Sequence, residues 1–306
     1  MKKINMIDRI LNKLGISLNE MQQEAFQSIA HGNKDVVVLS PTGSGKTLAY
    51  LLPLSQLVDA GDDEPQAIVV TPGRELALQS STVLKDMGSG LRAMACYGGR
   101  AAMDEHRVLK QVRPQIIFGT PGRLNDHLSK GNFSPYHIKY LVIDEFEKCL
   151  EMGFQDEMSR LIQFLPGLRR HFLLSATEAE EIPRFVHMGR VEKIDYRMDE
   201  EQVPERVHIY KVESPVKDKL ESLGRLLRSL GETSTIVFLN YRDSVERTNN
   251  YLVEQGFSTS FFHGGLEQKE REASLYRFSN GSANILVSTD LASRGLDIPD
   301  IDNIIH

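Results

Sequence analysis

Residues 36–47 read VVVLSPTGSGKT: a β-branched apolar run passes straight into a glycine turn that ends in Lys46 and Thr47. A short run of this kind, bounded by turn residues, is the pattern of a strand buried on both faces of a parallel sheet. Gly43 and Gly45 free the backbone to turn its N–H groups inward around phosphate oxygens, and Lys46 adds a point charge. The Thr47 hydroxyl stands where a Mg²⁺ ligand is needed. Ser40, Pro41, Thr42 and Ser44 complete the loop, with Ser40 in the place where the general pattern has its first glycine. The stretch reads as a strand delivering a triphosphate cradle.

Outward from this loop, short apolar runs alternate with segments of helical period. Strands are expected at 67–71, 93–97, 115–120, 140–145 and 172–177. Helices are expected over Thr47–Leu57, Glu75–Met87, Arg100–Leu109, Gly122–Leu128 and Gln155–Phe164, with a kink at Pro53. A polar stretch, YRMDEEQVPER at 196–206, then reads as a linker. Beyond it, HIYKV (208–212), TIVFLN (235–240), STSFFH (258–263) and NILVST (284–289) read as strands, with helices between them ending at Leu230, Glu254 and Phe278. DNIIH (302–306) lies in a further strand. The expected fold class is α/β, two tandem parallel-sheet domains of which the second is incomplete: residues 1–197, a linker at 198–206, and residues 207–306.

Composition narrows the function. At 306 residues the chain exceeds one ordinary core, and 41% hydrophobic with 25% charged residues is a globular balance. No apolar run reaches the length of a membrane span, and the N-terminus lacks the apolar region of a secretion signal. Cys96 and Cys149 read as buried thiols in a reducing compartment, so a cytoplasmic location is expected. A formal net charge of −6 argues against nucleic-acid binding by bulk charge, so any polyanion must sit in a local groove.

The run YLVIDEFE carries Asp144 and Glu145 to the carboxyl end of its strand, where ligands of open α/β sheets bind. Downstream of a phosphate loop, that pair places one carboxylate on Mg²⁺ and the next beside an attacking water.

Motif by motif and in order, the chain resembles the DEAD-box ATP-dependent RNA helicases of superfamily 2. SPTGSGKT resembles the family's AxTGxGKT, in which Ser40 is no longer anomalous. PGRELA (72–77) resembles PTRELA, with Gly73 in place of Thr. YGG (97–99), TPGR (120–123), MGF (152–154) and SAT (175–177) match as they stand. VF (237–238), HGGLEQKER (263–271) and STDLASRGLDIP (288–299) resemble the later motifs. The resemblance implies two RecA-like domains, ATP and Mg²⁺ as cofactors, and RNA as partner.

It also implies roles. Gln22 would read the adenine edge, although Leu18-Asn19 replace the usual Pro-Thr and residues 1–25 hold no aromatic to stack on the base. Lys46, Thr47, Asp144 and Glu145 would be catalytic, with Thr47 and Asp144 on the metal. Asp297 would contact ribose from the second domain, so that ATP bridges two lobes. Arg74, Gly99, Thr120, Arg123, Gly264, Gln268, Arg271, Thr289 and Arg294 would hold an RNA backbone with little base reading. For Arg74 and Arg123, helix-terminal charges or ion pairs with Glu75 or Asp126 are the alternative. Glu147, Ser175 and Thr177 would couple hydrolysis to strand opening.

Two departures qualify the activity. The signature is Asp144-Glu145-Phe146-Glu147, DEFE instead of DEAD, which predicts retained nucleotide binding with altered coupling. The family's last motif, HRxGRxGR with its arginine fingers, would follow His306, so the expectation is either a truncated piece of a longer protein or a split or degenerate product, and in both cases poor ATP hydrolysis by this chain. A catalytically weak, nucleotide-gated RNA-binding module is the alternative.

Overall fold

The protein is described here as a computed structural model covering residues 6–98, 102–177, 182–197, 208–215, 217–289 and 301–306. The chain divides into two compact units, Met1–Glu201 and Gln202–His306.

The first unit opens with helices α1 (Met6–Leu14) and α2 (Glu20–His31), then strand β1 (Asp35–Leu39) and α3 (Lys46–Leu57). It continues with β2 (Ala67–Val70), α4 (Arg74–Met87), β3 (Ala93–Cys96), α5 (Ala102–Val112), β4 (Ile116–Gly119) and α6 (Pro121–Ser129). It closes with β5 (Tyr140–Ile143), α7 (Phe146–Glu151), α8 (Gln155–Gln163), β6 (Arg170–Ser175) and β7 (Val191–Asp195). The strands form one parallel sheet in the order β3-β4-β2-β5-β6-β1-β7.

Strand alternation divides the core. Val36, Val38, Val69, Phe118, Val142 and Phe172 join one buried cluster, while Val37, Leu39, Val70, Ile117, Ile143 and Leu173 join the other. Both faces are therefore covered, which is why these strands read as apolar runs and not as alternating patterns. Helix α3 runs unbroken through Pro53, and α4 ends on Gly88 in the left-handed region, where glycine meets no steric penalty.

The second unit contains α9 (Leu220–Leu230), β8 (Thr235–Leu239), α10 (Arg242–Glu254), β9 (Thr259–Phe262), α11 (Gln268–Ser279), β10 (Ile285–Thr289) and β11 (Asn303–Ile305). Its strands are parallel in the order β11-β8-β10-β9. Two small clusters centred on Val237 with Val287 and on Phe262 with Leu286 form its core. No helix among the described residues is long and apolar enough to cross a membrane.

One expected strand is corrected. HIYKV at 208–212 has no strand conformation, and Ile209, Tyr210 and Val212 are 79%, 83% and 58% exposed. An apolar alternation makes a strand only where a neighbouring backbone receives its hydrogen bonds, and no described strand pairs with this one. The expected helix from Arg100 is Ala102–Val112, and the expected linker lies outside the described residues.

Candidate functional site

In the first unit, β1 ends at Leu39 and the chain turns through Ser40 to Gly45 before α3 begins at Lys46. Gly43 and Gly45 adopt φ of 79° and 86°, left-handed values that an L-residue takes only at a cost. Lys46 folds across its own loop, its Nζ donating to the carbonyl oxygens of Ser40 at 2.7 Å and Pro41 at 2.8 Å. Thr42 and Gly43 are exposed, while Pro41, Ser44 and Thr47 are half-buried.

Helix α2 packs beside this loop and holds it. Asn19 caps α2, its Oδ1 accepting the Gln22 amide at 2.9 Å while Gln22 Oε1 accepts the Asn19 amide at 3.1 Å. The other ends of the two side chains reach the loop: Asn19 Nδ2 donates to Ser44 O at 3.0 Å and Gln22 Nε2 to Gly45 O at 3.1 Å. Gln22 is thus buried against the phosphate-type loop, not a surface helix residue. A Cβ at position 45 would stand 2.3 Å from Gln22 Nε2, so a side chain there would displace the Gln22 amide from the loop.

Strand β5 delivers the carboxylates. The Asp144 amide continues the sheet by donating to Val70 O at 2.9 Å, and the side chain is buried. Glu145 then takes φ 50° and ψ 52°, and with Asp144 turns the chain from strand to α7 within two residues. Such a conformation at a non-glycine residue costs on the order of 1–3 kcal/mol. Phe146 enters the core, and Glu147 Oε1 accepts the Ala176 amide at 3.2 Å, tying α7 to the end of β6. There the Ser175 hydroxyl donates to Thr177 O and accepts the Thr177 amide.

Electrostatics make this cluster a reservoir of negative charge. Burial pushes the Asp144 carboxyl up to about 6, against the opposing pull of Lys46. Burial, then repulsion from Asp144 and Glu147, pushes Glu145 up to about 7. Burial likewise lowers Lys46, partly countered by the three acids. Glu145 Oε2, Glu147 Oε2 and Ser44 Oγ are buried with no hydrogen-bond partner among the described residues. Oxygen-rich and under-satisfied, the Asp144, Glu145 and Glu147 cluster beside Lys46 fits a hard divalent cation.

The remaining candidates of this unit lie on the neighbouring part of the same carboxyl edge. Arg74 follows β2, Gly98 follows β3, and Thr120 with Arg123 follow β4, three adjacent strands. The Arg74 guanidinium lies beside Gly98, 3.7 Å from where a Cβ would be. Arg123 pairs internally with two acids, its Nε 2.6 Å from Glu105 Oε2 and its Nη1 3.9 Å from Asp126 Oδ2, the alternative partner. The sheet's carboxyl edge thus divides, with the phosphate-type loop and carboxylates over β1, β6 and β5, and the loops bearing Arg74 and Arg123 over β2, β4 and β3.

In the second unit, Gly264 is exposed just after β9 and Gln268 opens α11, its Nε2 donating to Glu272 Oε1 at 3.0 Å. The Arg271 guanidinium lies 4.9 Å over the Phe262 ring, and Thr289 ends β10. These too gather at strand carboxyl ends. Gly99, Arg294 and Asp297 lie outside the described residues. Sequence reasoning missed Asn19 as a loop anchor and Glu105 as the partner of Arg123; the Asn at the cap of α2 was the one available signal.

Residues 19–185 match the DEAD/DEAH box helicase family, and residues 218–306 match the helicase conserved C-terminal domain. The chain is 38% identical over 304 residues to the ATP-dependent RNA helicase DbpA of Escherichia coli (strain K12), covering 97% of this chain and 65% of that protein. It is 34% identical over 288 residues to the ATP-dependent RNA helicase CshA of Limosilactobacillus reuteri, covering 93% and 57%. The chain therefore spans roughly three-fifths of the length of these relatives. Among solved structures it is similar to S. cerevisiae Dbp5 bound to RNA and ADP BeF3, with a TM-score of 0.86 at 25% identity, covering 98% of this chain and 77% of the other. With its first unit matched across the glycine loop, both carboxylates and the Ser175 turn, the chain belongs to the DEAD/DEAH box helicase family.

Proposed function

We propose that this chain carries the ATPase and RNA-gripping machinery of an ATP-dependent RNA helicase, which hydrolyses ATP in response to RNA and opens short duplexes locally. The observation that carries the reading is the pairing of a left-handed glycine loop with the buried Asp144 and Glu145 at the carboxyl edge of one parallel sheet.

In this reading the loop amides and Lys46 hold the phosphates, and Lys46 leaves the carbonyls of Ser40 and Pro41 to do so. Thr47 and Asp144 would hold Mg²⁺, which supplies charge neutralisation at the β- and γ-phosphates. Glu145, with its raised affinity for a proton, is suited to orient and deprotonate a water. Gln22 would reach adenine by exchanging its bond to Gly45 O for the base edge. Asp297 would meet the ribose. Glu147 supports the coupling role through the Ala176 amide, beside Ser175 and Thr177. Arg74, Thr120, Arg123, Gly264, Gln268, Arg271 and Thr289, with Gly99 and Arg294, would contact the RNA backbone. Relatives named RNA helicases and the similar structure of Dbp5 bound to RNA support RNA over DNA. The two cysteines, both buried and unbridged, fit a reducing cytoplasmic setting.

The test is phosphate release with magnesium and ATP, with single-stranded RNA or DNA of one sequence as activator. RNA stimulation well above DNA stimulation is expected. Equal stimulation by both points to a general nucleic-acid translocase, and binding of RNA without any stimulation points to a nucleotide-gated binding module.

A further inference from the structure

The loops over β2, β4 and β3 are organised by one buried acid on α5. Glu105 is 4% exposed, yet it receives donors from three places. Its Oε1 accepts the Tyr97 amide at 3.2 Å, and its Oε2 accepts Arg123 Nε at 2.6 Å and lies 2.8 Å from His127 Nε2. Asn132 Nδ2 stands 2.8 Å from His127 Nδ1. An amide nitrogen only donates, so Nδ1 is the acceptor and the ring proton sits on Nε2, aimed at Glu105. The first and last turns of α6 and the end of β3 are thereby fastened to a single carboxylate. Burial raises its pKa, but the bonds from His127, Arg123 and Tyr97 more than offset this and hold it below the ordinary glutamate value.

Cys96, Glu105 and His127 offer ligand atoms within 4.8 Å of one another, a spacing that a metal ion could span. The guanidinium inside that shell repels a cation and the carboxylate is already saturated by N–H donors, so the hydrogen-bonded arrangement is the one the geometry favours. A buried charge network satisfied on every side fixes a unique local geometry, and losing one member leaves the others uncompensated.

We propose that Glu105 is the positioning residue of the RNA-gripping loops, locking the Tyr97–Gly98 turn and the Arg123 guanidinium into one rigid surface. Arg123 then contributes by its held orientation and not as a loose cationic arm. The Arg74 guanidinium lies beside the same turn, next to Gly98. The inference rests on the proposed RNA reading and names the residue that prepares that surface.

The experiment is a double-mutant cycle of Glu105→Gln, Arg123→Gln and both together. It is read by the affinity of a fluorescein-labelled oligouridylate at saturating magnesium and non-hydrolysable ATP analogue, and by the affinity for that analogue alone. Each single variant is expected to weaken RNA binding about five- to tenfold, the double variant no more than the worse single, with analogue affinity unchanged. RNA affinity within twofold of the unmodified chain in Glu105→Gln overturns the proposal. So does a parallel loss of analogue binding, or a double loss equal to the product of the singles. If Glu105→Gln does not fold, Arg123→Lys keeps the charge but not the held fork; the same loss is expected, and unchanged affinity overturns the proposal. Failure of the unmodified chain to bind RNA sinks the functional reading and this inference with it, whereas retained binding in the variants sinks this inference alone.

Discussion

Glu145 concentrates the chemistry of the site into one strained, half-buried side chain. Its carboxyl is raised from the usual value to about 7, and that of Asp144 to about 6, both chiefly by burial. A carboxyl that holds its proton more tightly when folded leaves stability intact at low pH and loses it as pH climbs from the unfolded value through the folded one. The ligand-free chain should therefore weaken between about pH 4 and pH 7, and stay weakened above it. Glu145→Gln removes that charge without breaking a bond to Oε2, which has no partner among the described residues. We expect the variant to gain on the order of 1–2 kcal/mol at pH 8, after discounting for solvent screening, and little at pH 5. Thermal melts at the two pH values check this; equal gains at both would show that desolvation of the charge is not the cause. The same substitution should abolish hydrolysis, a trade of stability for function expected of a built site.

Helix α7 shows how much of the site was readable and how much was not. The strands beneath it announce themselves as apolar runs because both faces of the sheet are covered. Strand β7, VEKID, hides because most of it is not buried, and HIYKV misleads because pairing is decided by a distant backbone. The start of α7 directly after Glu145 depends on a left-handed residue that nothing in the local sequence demands. Likewise Arg123 keeps the neighbour the sequence offered, Asp126, at 3.9 Å, but its shorter bond, 2.6 Å, goes to Glu105 on another helix, which no local pattern announces. The two altered positions of DEFE now separate. Phe146 is 2% exposed and packed in the core, so Phe146→Ala should cost about 3–5 kcal/mol and lower the melting temperature by roughly 10 °C, reporting packing more than coupling. Glu147→Asp shortens the arm that reaches the Ala176 amide. Nucleotide affinity should persist while the ratio of RNA-stimulated to basal phosphate release changes; an unchanged ratio would remove Glu147 from any coupling role.

Two compact units with separate cores make up the chain, and those cores are unequal. Among the described residues, the first unit fills both faces of a seven-stranded sheet, whereas the second rests on two small clusters around four strands. Stability follows buried apolar area, so the second unit should melt first. Scanning calorimetry is expected to resolve two transitions, with magnesium and an ATP analogue raising the upper one by mass action on the first unit. A single transition in which both units melt together would contradict independent cores.

Everything functional proposed for this chain depends on the loop from Ser40 to Thr47 and the Asp144–Glu145 pair forming one magnesium-nucleotide pocket. Titration calorimetry with a non-hydrolysable ATP analogue, with and without Mg²⁺, for the unmodified chain and Lys46→Ala, addresses this directly. The expected result is saturable, magnesium-dependent binding that Lys46→Ala weakens by at least tenfold, with the variant's fold intact by circular dichroism. Binding that ignores both the metal and the lysine would contradict it.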